Sequence, residues 1–164
     1  LPSTGIHSNG FSLCRKVFNI DNNDPALYEP CEALGGATIA ETLLTPTRIY
    51  VKPILALLEQ VDVKGISHIT GGGFYENIPR SIPKGFGAKI EKSAVKVPAI
   101  FKLLAEKGNI PERDMFNTYN MGVGMSVVVP ADQVETALEI LTAHGETAYV
   151  IGSIIENEEK VILE

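Results

Sequence analysis

From residue 88 onward, strand-like and helix-like apolar patterns alternate along the chain, and this alternation constrains the fold more than any other feature of the sequence. The helix at 131–144 is the clearest, because its apolar residues repeat at three- and four-residue steps and Gly145 follows it. The other predicted elements of this part are a helix at 98–107 ended by Gly108 and strands at 88–91, 122–129, 147–155 and 160–163. Such an order predicts an α+β fold with layers of the α/β type, in which helices cover a mixed sheet that has a ferredoxin-like portion.

The first half of the chain is less regular. Ser8 or Asn9 can cap a helix whose apolar face begins at Phe11, and the polar segment 19–30 is typical of a loop. Thr45-Pro46 resembles an N-cap followed by a first-turn proline. The remaining predicted elements are helices at 38–44, from Pro46 to about 60 and at 74–80, and a strand at 66–70.

Composition narrows the class of protein. The length of 164 residues suits one domain, 1–164, with a substantial core. A net charge of −6 with scattered basic residues argues against nucleic-acid binding, and no apolar run suggests a membrane span or a signal peptide. Cys14 and Cys31 are too few for a disulfide framework and have no metal-type spacing. We therefore expect a reduced, cytoplasmic protein without a metal site of its own.

The chain opens with loop-type residues and without Met, at Leu1-Pro2-Ser3-Thr4-Gly5. A processed natural terminus is one explanation. We favour the other, that the chain is a piece of a longer protein whose missing part holds half of a site.

Three short stretches do not have the pattern of simple core. His7-Ser8-Asn9-Gly10 stands at the start of a predicted helix, where free N–H groups attract anions. A plain helix cap with a packed histidine explains the same residues equally well.

The second stretch, Thr70-Gly71-Gly72-Gly73, follows a predicted strand directly. Consecutive glycines let a ligand approach the backbone, and successive N–H groups can hold phosphate. It matches neither the P-loop nor the dinucleotide-binding pattern, and a tight turn that needs glycine for geometry alone is the alternative.

The third stretch, 120–125, begins with Asn120 and places two glycines at the entry to a strong strand. It predicts close backbone contact or a bulge, with the Asn120 amide aimed at the neighbouring space. Outside these stretches, His68 is interpreted as a core or sheet-face histidine, and His144 as a favourable charge at a helix end. Glu76 and Arg80 are interpreted as a surface ion pair.

These stretches together resemble the aminoimidazole ribonucleotide synthetase (phosphoribosylformylglycinamidine cyclo-ligase) family. The resemblance covers the whole chain in order, and it implies the carboxy-terminal domain of a two-domain enzyme of purine biosynthesis. The motifs that carry it are 5–13 (GIHSNGFSL), 44–50 (LTPTRIY), 68–80 (HITGGGFYENIPR) and 116–125 (FNTYNMGVGM).

The resemblance also implies a reaction. ATP phosphorylates the formyl-amide oxygen of formylglycinamidine ribonucleotide, the amidine nitrogen attacks the activated carbon, and phosphate leaves as the imidazole ring closes. In this family the amino-terminal domain supplies the homodimer interface, the acidic Mg²⁺ ligands and much of the ATP site, none of which has a motif here. The carboxy-terminal domain forms the other wall of the cleft.

On this basis, we expect His7 to donate a hydrogen bond or a proton near the closing ring, with Arg48 as a charge partner. Asn77 and Asn120 are expected to orient the ligand. The expected phosphate-binding residues are Ser8, Asn9, Gly10, Thr70, Gly71, Gly72 and Gly73. Alternative functions are a non-catalytic module that binds a phosphorylated metabolite, a structural or assembly domain, and the equivalent domain of a related ATP-dependent enzyme of the same superfamily.

Overall fold

The computed structural model describes all of residues 1–164, as seven α-helices, five strands and several short 3₁₀ turns. The helices are α1 Phe11–Val17, α2 Ile39–Leu43, α3 Val51–Leu58, α4 Gly73–Asn77, α5 Ala99–Gly108, α6 Glu112–Thr118 and α7 Val134–Ala143. The strands are β1 Gly65–His68, β2 Phe86–Ile90, β3 Met125–Val128, β4 Gly152–Glu156 and β5 Val161–Leu163. None of the helices combines the length and the hydropathy that crossing a bilayer requires.

The strands form two small sheets. β1 pairs with β3 antiparallel, with His68 opposite Met125. β2 lies between β4 and β5 and pairs antiparallel with the first and parallel with the second, which makes this sheet mixed. The predicted α+β class and the mixed sheet are confirmed. The ferredoxin-like portion differs from prediction, because β3 pairs with β1 in a separate sheet and not with the strands that flank β2.

The core has two parts. The larger buried cluster joins α1, α4, α5 and α6 to the three-stranded sheet, with Phe74, Phe101 and Leu104 fully buried. The smaller one lies between α3, α7 and the sheet of β1 and β3, and includes Tyr50 and Leu57. The apolar faces of α3 and α7 pack in this smaller cluster, and they hold the end of the motif 44–50 close to the sheet of β1 and β3.

The predicted helix from Pro46 to about 60 is wrong in its first part. Residues 45–50 have no regular structure, and α3 begins only at Val51. Pro53 gives the reason, because a proline is tolerated in the first turn of a helix and breaks its interior. Contacts to the amino-terminal turn also hold the segment away from helix: Thr4 Oγ1 donates to the Pro46 carbonyl at 2.7 Å, and Ser8 Oγ lies 3.0 Å from Thr47 Oγ1.

Other boundaries also differ from prediction, since β3 begins at Met125 rather than at 122 and β4 at Gly152 rather than at 147. Gly10, at φ 76°, caps α1 in place of Ser8 or Asn9, and α5 includes Gly108 and ends at Asn109, at φ 47°. Helix α6 was not predicted, because it is only seven residues long and too short for a clear apolar period.

The capping box of α2 gives a test of local stability. Thr38 Oγ1 accepts from the Glu41 N–H at 3.0 Å, and the Glu41 carboxylate accepts from the Thr38 N–H at 2.9 Å. We expect Thr38→Ala to lower the free energy of unfolding by about 1 kcal/mol, measured by urea denaturation. Thr136→Ala, on the exposed face of α7, is the control and is expected to change it by no more than a few tenths of a kcal/mol. Equal effects of the two changes would contradict the role of the cap.

Candidate functional site

The three predicted stretches meet at one place in the structure. Asn9 Oδ1 lies 3.4 Å from the position that a Cβ at Gly71 would occupy, so the first stretch faces the second. The Ile69 N–H, just before the second stretch, donates to the Gly124 carbonyl of the third at 2.9 Å. Asn120 in turn donates to the turn that precedes His7. Segments far apart in sequence therefore build one continuous surface.

His7 lies at the centre of this arrangement and is only 5% exposed. Its backbone adopts φ 60°, a left-handed conformation that is uncommon for residues with a side chain. The ring nitrogen Nε2 accepts hydrogen bonds from the N–H of Thr4 at 3.1 Å and from the N–H of Arg48 at 3.5 Å. The other nitrogen, Nδ1, is buried and has no partner. Such an unpaired buried group in a strained turn is typical of a functional position.

Two further rings surround His7. The ring centroids of Tyr50 and His68 lie 6.3 and 6.5 Å from that of His7, and 6.1 Å from each other. Burial lowers the pKa of His7 to about 4, with a smaller contribution from the charge of His68. Burial likewise raises the pKa of the Tyr50 hydroxyl, which donates to the Pro2 carbonyl at 2.7 Å. His7 and Tyr50 are therefore both neutral at pH 7.

The residues that follow His7 leave backbone N–H groups without acceptors. Ser8 is exposed, and Gly10 packs so closely on the Tyr119 ring that no side chain would fit. The N–H groups of Ser8 and Gly10 donate to no acceptor of the chain, and neither do those of Gly71 and Gly72. Two turns with free N–H groups therefore lie side by side.

The turn 70–73 is held by Asn77. The Asn77 side chain, 3% exposed, donates to the carbonyls of Thr70, Gly71 and Gly73 and accepts from Thr70 Oγ1. Gly73, at φ 56°, lies directly against the Phe116 carbonyl. Asn77 was expected to orient a ligand, and the structure places its amide under the glycine turn.

Asn120 has a similar position under the turn of His7. Its side chain is 2% exposed and donates to the Gly5 and Ile6 carbonyls at 2.8 and 3.3 Å. Its Oδ1 accepts from Ser3 Oγ at 2.8 Å and from the Gly122 N–H at 2.9 Å. All of its hydrogen-bonding capacity is directed to the chain itself.

The Arg48 side chain is directed at a residue that the sequence analysis did not single out. Arg48 Nε pairs with Glu146 Oε1 at 2.9 Å, and its Nη2 donates to the Gly145 carbonyl at 2.9 Å. Glu146 is 3% exposed, and its second oxygen has no partner. Its position after α7 gives no local signal of this role. Tyr50, also missed, could have been found because it ends the motif 44–50.

A polar cavity of about 360 Å³ adjoins the turn 70–73. Its walls include Thr70, Asn77 and Arg80, together with His68, which the sequence analysis assigned to the core or the sheet face. The structure places His68 at the exposed end of β1. Glu76 and Arg80 form the expected surface pair, at 3.6 Å. No three His, Cys, Asp or Glu side chains are grouped in a way that could hold a metal ion.

Comparison with known proteins gives the class to which this fold and site belong. The family model described as AIR synthase related protein, C-terminal domain, matches residues 1–164. The chain is also similar to proteins named phosphoribosylformylglycinamidine cyclo-ligase. It is 54% identical to that of Caldicellulosiruptor bescii over 163 residues, 52% to that of Shouchella clausii over 162 and 49% to that of Fusobacterium nucleatum over 163.

Each match covers 99% of this chain and 48%, 46% or 47%, respectively, of the relative. The chain thus spans about half the length of the curated relatives it matches. It belongs to the AIR synthase related protein family, as a carboxy-terminal domain. The resemblance drawn from the four motifs is confirmed.

Removal of the Asn120 side chain tests its role under the turn. We expect Asn120→Ala to lower the free energy of unfolding by about 3 kcal/mol, because buried carbonyls of Gly5 and Ile6 lose their donor. Asn117→Ala, exposed on α6, is the matched control and is expected to change it by less than about 0.5 kcal/mol. A similarly small effect at Asn120 would show that the amide does not hold this turn.

The low pKa of His7 predicts how stability depends on pH. The imidazole binds a proton near pH 6.5 in the unfolded chain but only near pH 4 in the folded protein, so acid favours unfolding between these values. Between pH 7 and pH 4 we expect the native protein to lose about 2–3 kcal/mol more of its unfolding free energy than His7→Gln does. Urea denaturation across this range measures the difference. Thr136→Ala, an exposed change that removes no titratable group, should keep the native slope; a native slope in His7→Gln would refute the prediction.

Proposed function

We propose that this chain is the carboxy-terminal half of a two-domain, ATP-dependent cyclo-ligase that converts formylglycinamidine ribonucleotide to aminoimidazole ribonucleotide. The observation that carries the proposal is identity of 49–54% to proteins with the cyclo-ligase name, across nearly the whole chain. A cytoplasmic location belongs to the same proposal, and the unpaired thiols of Cys14 and Cys31 are consistent with it.

In the proposed reaction the formyl-amide oxygen is phosphorylated by ATP, the amidine nitrogen attacks the activated carbon, and phosphate leaves as the ring closes. Such a reaction needs a flexible substrate held in a folded conformation and donors aimed at the charge that develops on oxygen. This chain forms one wall of the cleft in which that happens.

The two glycine turns are the proposed phosphate-binding part of this wall. The free N–H groups of Ser8, Gly10, Gly71 and Gly72 support it, since such groups bind the phosphate oxygens of a substrate or nucleotide. The Glu76 carboxylate lies against Gly72 and would oppose an anion there, but Arg80 is 3.6 Å from that carboxylate and partly neutralises it.

The remaining predicted site residues act around these turns. His7 provides a donor beside the closing ring. Asn77 and Asn120 keep the two turns in place, and Asn9 and Thr70 complete the surface between them. Arg48 is the charge partner in this region, and it acts on the site through the segment that it anchors.

Most of the ATP site and the Mg²⁺ ligands belong to the preceding half of the proposed enzyme. No group of three His, Cys, Asp or Glu side chains converges in this chain, and we assign the Mg²⁺ ligands to the preceding half, as the resemblance implies. The preceding half is also proposed to supply the homodimer interface. Five of the eight large exposed apolar side chains support contact with another domain, because they crowd into one short segment and its flanks. They are Leu44, Ile49, Val51, Leu55 and Leu58.

A chimera tests the proposal directly. The part of the Caldicellulosiruptor bescii relative that precedes its matched region is joined to Leu1 of this chain. Formation of aminoimidazole ribonucleotide from formylglycinamidine ribonucleotide and ATP is then measured beside the intact relative. We expect activity within about tenfold of the relative, no turnover by this chain alone, and a loss of about 10²-fold in a His7→Ala chimera.

The control chimera carries Asn117→Ala, on the exposed face of α6, and is expected to keep full activity. A folded chimera without turnover would contradict the proposal. If this chain alone bound formylglycinamidine ribonucleotide tightly while the folded chimera stayed inactive, the result would favour the alternative of a binding module.

A further inference from the structure

The hydrogen bonds of His7 determine which of its nitrogens carries the proton. Two backbone N–H groups, of Thr4 and Arg48, point at Nε2. A nitrogen that accepts an N–H must offer a lone pair, so Nε2 is unprotonated and the single proton of the neutral ring is on Nδ1. A proton on Nε2 would bring the N–H groups of Thr4, Arg48 and the imidazole into repulsive contact in a buried space.

The Nδ1–H group is therefore a donor without an acceptor. The atom is buried and makes no hydrogen bond with the chain. An unpaired buried donor destabilises a fold by about 1–3 kcal/mol, and native proteins keep few of them. The protein nevertheless holds this one in place through a strained backbone and two acceptor bonds on the opposite side of the ring.

We propose that His7 is a fixed, neutral Nδ1–H donor to an oxygen of the bound substrate, a phosphoryl or carbonyl oxygen, and that it transfers no proton. This inference rests on the proposed function and names the role of His7 within it. A neutral donor stabilises charge that develops on oxygen without changing its own protonation state.

The surroundings of His7 favour the neutral ring. The titratable rings next to it are His68 and Tyr50, of which Tyr50 is uncharged at pH 7. The Arg48 guanidinium is occupied by Glu146, and no carboxylate contacts the imidazole to stabilise its cation. The lowered pKa of His7, which its burial causes, is consistent with a neutral imidazole.

Access to Nδ1 requires a neighbouring group to move. His68 is the exposed member of the three rings, and exposed side chains change rotamer readily. Rotation of His68 is the movement we expect to open a path from the polar cavity, of which His68 forms part of the wall.

Arg48 and Glu146 act as positioning residues in this proposal. The Arg48 N–H is one of the two donors to Nε2, and the Arg48 side chain is anchored by the buried Glu146 carboxylate. Loss of that anchor frees the segment 45–50 and with it one of the bonds that fix the tautomer. The effect reaches the substrate only through His7.

NMR of imidazole nitrogens in ¹⁵N-histidine-labelled chain tests the tautomer independently of any activity. We expect His7 to show the Nδ1–H pattern from pH 8 to pH 5, while His68 and His144 serve as internal references. An Nε2–H pattern, or an imidazolium at pH 6, would overturn the inference. Glu146→Gln should convert the His7 signal to a mixture of tautomers, and Asp21→Asn, in the exposed Arg15–Asp21 pair, should leave it unchanged. An unchanged His7 signal in Glu146→Gln would refute the positioning role.

Two conservative variants of the chimera test the donor itself. His7→Gln places an acceptor near the Nε2 position and no donor at Nδ1, whereas His7→Asn places an amide N–H near Nδ1 and loses the bonds to Thr4 and Arg48. We expect kcat/KM to fall about 10–100-fold in His7→Gln and less than tenfold in His7→Asn, although His7→Asn is the less stable.

Equal losses in both variants, with disappearance of one ionisation from the pH profile of kcat/KM, would show that His7 transfers a proton. Native activity in His7→Gln would contradict the proposed role of Nδ1–H as a donor to the substrate. If the unmodified chimera were inactive, the proposed function would fail on its own, and the tautomer would still be decided by NMR.

Discussion

The side-chain amide of Asn120 joins the amino-terminal turn to the turn before β3, and the position of His7 depends on this connection. Its two donors bind the carbonyls of Gly5 and Ile6, and its oxygen accepts from Ser3 and Gly122. Three of these four bonds are buried, so they are stronger than the same bonds in water, and a missing partner would be correspondingly unfavourable. The site is thus built on a polar connection between segments more than 110 residues apart, not on the apolar core beneath it.

The strained backbone beside Asn120 is maintained by these hydrogen bonds. His7 and Met121 both adopt positive φ, at 60° and 49°, on either side of the Asn120 amide. Such conformations persist only where the surroundings over-determine them, and Asn120 supplies that constraint. Gly124 contributes in another way, since any side chain there would collide with the Tyr50 hydroxyl and approach His7 Cε1 to 2.9 Å. Strain, glycine and buried amide together keep the imidazole in one orientation.

Sequence patterns predicted what depends on neighbours along the chain. The stripes of α5 and α7, the short helix at 38–44 and the strand before Thr70 are local signals, and each corresponds to an element of the structure. What they could not predict depends on distant partners. Glu146 has no local feature that marks it, and Asn77 and Asn120 look like ligand-facing amides until the carbonyls beneath the turns are located. The late start of α3 has a local cause and a distant one. Pro53 disfavours a longer helix and could be read from the sequence, whereas the contacts of Pro46 and Thr47 with the amino-terminal turn could not.

The arrangement also explains why backbone, rather than charged side chains, carries most of the candidate site. Arg48, whose backbone N–H donates to His7, has its guanidinium held by Glu146, and Arg80 lies beside the Glu76 carboxylate, which partly offsets its charge. Free N–H groups on two glycine turns and one imidazole remain as donors. Fixed donors of this kind need little reorganisation when charge appears, but they bind a free anion weakly in water. Their effect becomes large only when a second wall excludes solvent, because electrostatic interactions strengthen in a medium of low dielectric constant. This dependence on solvent exclusion supports our proposal that the surface is one wall of a cleft completed by another domain, rather than an open binding surface.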